Sequence, residues 1–119
     1  DAISNNNIDT INKLLAENDG NIEDPIIMSA IYKLKGDVLL VQGDHSSAIR
    51  SYQKAESLMN ENNIRIQYQL DIVSILLAQN NYVDALSTLE KIIETNDVGF
   101  NEKNQAEELM AYTKQKMNI

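Results

Sequence analysis

The sequence predicts an all-α fold of antiparallel helical hairpins, about six helices in all, and three observations carry the prediction. Apolar residues recur at i, i+3, i+4 and i+7 through most of the chain. Gly and Pro are scarce, four and one in 119 residues, whereas an all-β fold needs turn residues about every 8–12 positions. Segments of one pattern also return at offsets of 37 and 41 residues, the mark of stacked helical units.

Residues 1–7, DAISNNN, are polar and expected to fray. From Ile8 the apolar Ile8, Ile11, Leu14 and Leu15 share one helical face, and the run stops at the turn signal Asn18-Asp19-Gly20. Asp24-Pro25 then starts a second helix, with Asp as cap and Pro in the first turn. That helix is expected to run to Gln42 with Ile27, Ile31, Leu34, Val38 and Val41 as its apolar stripe, widened by Tyr32 and Leu39. Gly36 inside it costs about 1 kcal/mol relative to Ala, which implies close approach of a neighbouring helix. Gly43 closes it, where a left-handed backbone is cheapest for Gly.

The third helix, about 46–60, carries Ala48, Ile49, Tyr52, Ala55 and Leu58 on one face. After the turn Asn60-Glu61-Asn62-Asn63, the fourth runs to about Gln79 and is the most apolar, with only Asp71 and Ser74 polar between Leu70 and Ala78. It is expected to be the most buried helix. Asn80-Asn81 end it. The fifth, about 82–96, shows Ala85, Leu86, Leu89, Ile92 and Ile93, and the last, about 102–118, has the narrow stripe Ala106, Leu109, Met110, Thr113 and Met117. A single narrow stripe suits the end of a stack, where one side meets water.

Composition bounds the function. The length gives a single domain able to bury roughly 65% of its unfolded surface. With 5% aromatics and no Trp, Leu, Ile and Ala must fill its core. A net charge of −8 opposes nucleic acid and anionic lipid, both of which need a basic surface. The charge is uneven: residues 1–24 hold six acids against one Lys, residues 61–100 sum to −4, and only residues 25–60 are net positive, at +1. There is no Cys, hence no disulfide, thiolate metal site or Cys nucleophile. No 18-residue apolar run and no signal-peptide pattern are present. Because the chain opens mid-pattern, it reads as a fragment of a longer protein, with a partner helix for residues 8–15 upstream.

Ala48-Ile49-x-x-Tyr52-x-Lys54-Ala55 matches Ala85-Leu86-x-x-Leu89-x-Lys91-Ile92, 37 residues on, and residues 9–19 match residues 87–97. This pattern resembles the tetratricopeptide repeat. Tyr32 stands for the family's Trp, Gly36 for its Gly, Leu39 for its Tyr, Ala48 for the small residue, Tyr52 for the Phe, Ala55 for the next small residue and Gly43 for the turn. In the second copy Val73, Leu76, Tyr82, Ala85, Leu89 and Ile92 fit more loosely. Lys35 replaces the usual Leu, the closing Pro is missing, and the repeats exceed the family's 34 residues. The resemblance implies a short right-handed superhelix over one domain, residues 1–119: a lone second helix at 8–18, repeats at 25–60 and 64–96, and a capping helix at 102–118.

In such a stack the first helix of each hairpin lines a concave groove. The matching positions are Lys33, Asp37 and Leu40 on the second helix and Gln67, Leu70, Asp71 and Ser74 on the fourth. With Asp37 and Asp71 there, the resemblance implies a basic or apolar peptide or helix as partner. The expected function is a non-catalytic protein–protein interaction scaffold; the alternative is a homo-oligomerisation or assembly domain. The acidic, loosely spaced repeats also resemble the soluble part of bacterial membrane-anchored tetratricopeptide-like proteins that assist secretion or envelope assembly. That implies a periplasmic or envelope setting, with the cytoplasm equally open. No catalytic motif, metal-ligand spacing or cofactor loop is found, and His45 is a lone residue at a helix start.

Overall fold

A computed structural model describes residues 8–14, 16 and 24–119 of the chain. The expectations for residues 1–7 and for the turn at Asn18-Asp19-Gly20 lie outside the described residues. Among those described, every regular element is an α-helix and there is no strand. Residues 8–14 form α1, followed by α2 (Pro25–Val41), α3 (His45–Ser57), α4 (Asn62–Ala78), α5 (Tyr82–Glu94) and α6 (Phe100–Met117). The chain groups into two compact units, Asp1–Met59 and Asn60–Ile119; the turn expected over residues 60–63 is shorter, because α4 already begins at Asn62.

The first unit is built on the α2–α3 hairpin. Asp24 caps α2, its carboxylate accepting from the Ile26 N–H at 2.9 Å, with Pro25 in the first turn. The helix ends in a motif that satisfies its last carbonyls: the Gly43 N–H donates to Leu40 O at 3.0 Å and the Asp44 N–H to Leu39 O at 2.9 Å. Gly43 takes φ +81°, the left-handed region where a side chain is strained. Asp44 then turns cap for α3, accepting from the Ser47 N–H at 3.2 Å. One short turn thus ends one helix and starts the next.

The second unit repeats this device. α4 and α5 have 17 and 13 residues, the lengths of α2 and α3, and each begins 37 residues after its counterpart. Asn80 sits at φ 59°, its N–H donating to Leu77 O at 3.0 Å, and the Asn81 N–H donates to Leu76 O at 2.8 Å. Asn81 caps α5 through its own side chain. Asn replaces Gly because it tolerates the left-handed region better than other residues with a side chain. Packing follows the same register: Ala48, Tyr52 and Ala55 are buried in the first unit, and Ala85, Leu89 and Ile92, at the same offset, in the second. α4 buries seven residues, more than any other helix. α6 packs on α5 and α4 through Ala106 and Thr113.

One expectation is overturned on α2. The row Ile27, Ile31, Leu34, Val38 and Val41 is not the buried face of the helix: Ile27, Leu34 and Val41 are 52%, 52% and 77% exposed, and Ile31 and Val38 are half-buried. The buried face holds Ser29, Gly36 and Leu39, roughly opposite at about 100° per residue. Small residues win there because α3 comes too close for large ones. A Cβ at Gly36 would lie 2.7 Å from Tyr52 Cε1, and Ser29 Oγ donates to Ala55 O at 2.8 Å across the pair.

Candidate functional site

On α2, Lys33 and Asp37 stand one turn apart, and the Lys33 ammonium donates to the Asp37 carboxylate at 3.0 Å. Both side chains are 44% exposed, so the pair contributes only about 0.2–0.5 kcal/mol. The other oxygen of Asp37 accepts from the Tyr52 hydroxyl. Asp37 therefore anchors the ring that packs on Gly36, a structural task that the spacing alone did not reveal. Leu40, half-buried, completes the strip.

On α4, in the second unit, Gln67 and Asp71 are exposed. Gln67 Nε2 donates to the Glu102 carboxylate at 3.3 Å, tying α4 to α6. Ser74 Oγ donates back to Leu70 O at 3.2 Å. Leu70, expected among the contact residues, is corrected: it is 3% exposed and belongs to the core. The family resemblance put it among the groove positions, but a helix apolar on nearly all sides buries its Leu first.

A second constellation, missed in the sequence, lies wholly in the first unit. A cleft of about 320 Å³ opens between α1, α2 and α3. Ile8 and Leu39 supply apolar wall, and Asn12, Ser47, Ser51 and Tyr32 supply amide and hydroxyl groups. Three cations, Lys35, Arg50 and Lys54, line it, and no carboxylate does among the described residues. Arg50 Nη2 donates to Ser47 Oγ at 2.9 Å, and Lys54 Nζ lies 6.0 Å from the Tyr32 ring centroid, at the outer limit of a cation–π contact.

The sequence did hold a signal for this cleft. Ser47, Arg50, Ser51 and Lys54 fall at i, i+3, i+4 and i+7, one face of α3. They also lie in the only net-positive stretch, residues 25–60, whose remaining cation is Lys33. What was missing was the partner wall: Lys35 reaches the same space only because α2 packs its Gly36 face on α3.

Among the described residues, no group of three or more His, Asp or Glu is placed to hold a metal ion. No described helix is long and apolar enough to cross a membrane. Compared with known proteins, the chain matches no protein-family model and no curated sequence.

Proposed function

We propose that this chain is a non-catalytic binding module of tetratricopeptide-like helical hairpins that holds a helical segment of another protein along α2. The observation that carries the reading is the outward row of α2. Ile27, Leu34 and Val41 are more than half exposed, and with Ile31 and Val38 they alternate in steps of four and three residues. That spacing is the seam by which amphipathic helices recognise one another. Apolar side chains held in water on a rigid helix gain roughly 25 cal/mol per Å² when a partner covers them. Beside the row, the Lys33–Asp37 pair supplies polar selectivity at little cost. The partner is an amphipathic segment with an apolar seam of its own, and a bacterial envelope setting, implied by the family resemblance, is part of the same proposal.

The test is capture by the intact protein, followed by titration of the captured segment against Leu34→Asp and Lys33→Glu. Both side chains project from the helix surface, so the variants keep the fold and lose capture. Unchanged affinity in Leu34→Asp removes the reading. A second reading, self-assembly, is favoured by the same observation, since a row in heptad spacing is self-complementary in a two-fold pair. Light scattering across concentration separates the two: a concentration-dependent dimer abolished by Leu34→Asp selects self-assembly, and a monomer selects the heterologous partner.

A further inference from the structure

We infer that the cleft between α1, α2 and α3 is a binding site for a phosphate monoester dianion. Its α2 residues Tyr32, Lys35 and Leu39 centre about 110° around the helix from the apolar row, and none of them belongs to that row, so the site can be tested separately from the partner reading above.

The electrostatics are unusual for this chain. At net −8, cations have acids in abundance to pair with, and Lys33 takes Asp37. Yet among the described residues Lys35, Arg50 and Lys54 share one cleft with no carboxylate in ion-pair reach. Arg50 and Lys54 are like charges at i, i+4 on one helix face, an arrangement that opposes folding. The chain carries this conflict where α2 brings a third cation opposite. An anion seated among them turns the repulsion into attraction.

The donor set identifies the anion. Lys35, Arg50 and Lys54 present an ammonium, a planar fork and a second ammonium, and Ser47 and Ser51 add hydroxyls. A phosphate monoester carries about −1.5 to −2 charges at pH 7 and three acceptor oxygens, which match three cations. A carboxylate offers one charge and two oxygens. The cleft, about 320 Å³, is at the small end of ligand sites, roughly 300–1,000 Å³. It takes one phosphate and the ring or short chain esterified to it, which rests on Tyr32 and Leu39. A nucleic-acid strand is disfavoured by the acidity of the rest of the chain.

The experiment is a titration of the whole chain with phenyl phosphate at pH 7.5, followed by 31P and backbone-amide NMR, with phenyl sulfate as the singly charged isostere. The expected result is saturable binding that moves the signals of Tyr32, Arg50 and Lys54, with phenyl sulfate at least about tenfold weaker. Arg50→Gln and Lys54→Met each weaken it about tenfold or more, because each removes a charge-assisted contact. Lys103→Gln, an equal charge change on the exposed surface of α6, leaves it unchanged. Far-UV circular dichroism confirms that every variant stays helical. A phosphoserine peptide binding more tightly than phenyl phosphate assigns the group to a protein partner, and equal affinity assigns it to a free small molecule. Absence of saturation, equal binding of the sulfate, or equal loss in Lys103→Gln overturns the inference.

Discussion

Gly36→Ala sets two physical effects against each other. In a helix interior the change gains about 1 kcal/mol from propensity alone. In this fold the new methyl lies 2.7 Å from Tyr52 Cε1, 2.9 Å from Cδ1 and 3.0 Å from Cζ, so the ring must move. That ring is 3% exposed, and its hydroxyl is held by Asp37. Swinging it away strains a packed helix pair, at about 1–3 kcal/mol for overpacking. It also breaks a hydrogen bond to a carboxylate, worth about 1.5–3 kcal/mol. Against the propensity gain, the net expectation is a loss of about 1.5–5 kcal/mol in the first unit. Urea unfolding followed by circular dichroism reads it as a lower midpoint with unchanged slope. The double variant with Tyr52→Leu relieves the contact, so Gly36→Ala then costs less than in the parent background. If Gly36→Ala stabilises the chain by the propensity value, the close α2–α3 approach is wrong.

Other expectations follow from single residues. Gly43→Ala destabilises by about 1–2 kcal/mol through its left-handed backbone, whereas Gly43→Asn costs less, because Asn80 fills the equivalent position; thermal melts of the two variants rank them. Leu89→Ala leaves a cavity at a fully buried site and lowers stability by about 2–5 kcal/mol in urea titration. Leu70→Ala behaves likewise and leaves the intrinsic affinity of the folded protein for its partner unchanged, which distinguishes it from a contact residue in a binding isotherm. Leu34→Asp shifts stability by no more than about 0.5 kcal/mol while abolishing capture.

The turns were legible in the sequence because their chemistry is local. Gly43 and Asn80 are residues that tolerate a positive φ, and Asp44 and Asn81 have side chains that reach the next helix's N–H groups three residues on. No distant contact is needed to place a hairpin between them, and the recurrence of the device at 37 residues made the two-hairpin plan readable. The candidate site was only half legible. The Lys33–Asp37 pair follows from spacing, but the hold of Tyr52 on Asp37, which makes that acid structural, spans 15 residues between two helices.

By itself, then, the sequence determined that this chain is helical, where the two hairpin turns fall and that the hairpin recurs. Periodicity, caps and left-handed residues act within one or two turns, and the chain carries them wherever it goes. The tertiary structure decided which side of α2 is inside. Both sides offer apolar residues, so periodicity favoured the row with more Ile, Val and Leu; the close approach of α3 reversed that choice, since only Ser29 and Gly36 leave room for the Ala55 carbonyl and the Tyr52 ring. The same packing turned Ile27, Leu34 and Val41 outward and brought Lys35 to face Arg50 and Lys54. Both functional proposals for this protein rest on that one choice of face.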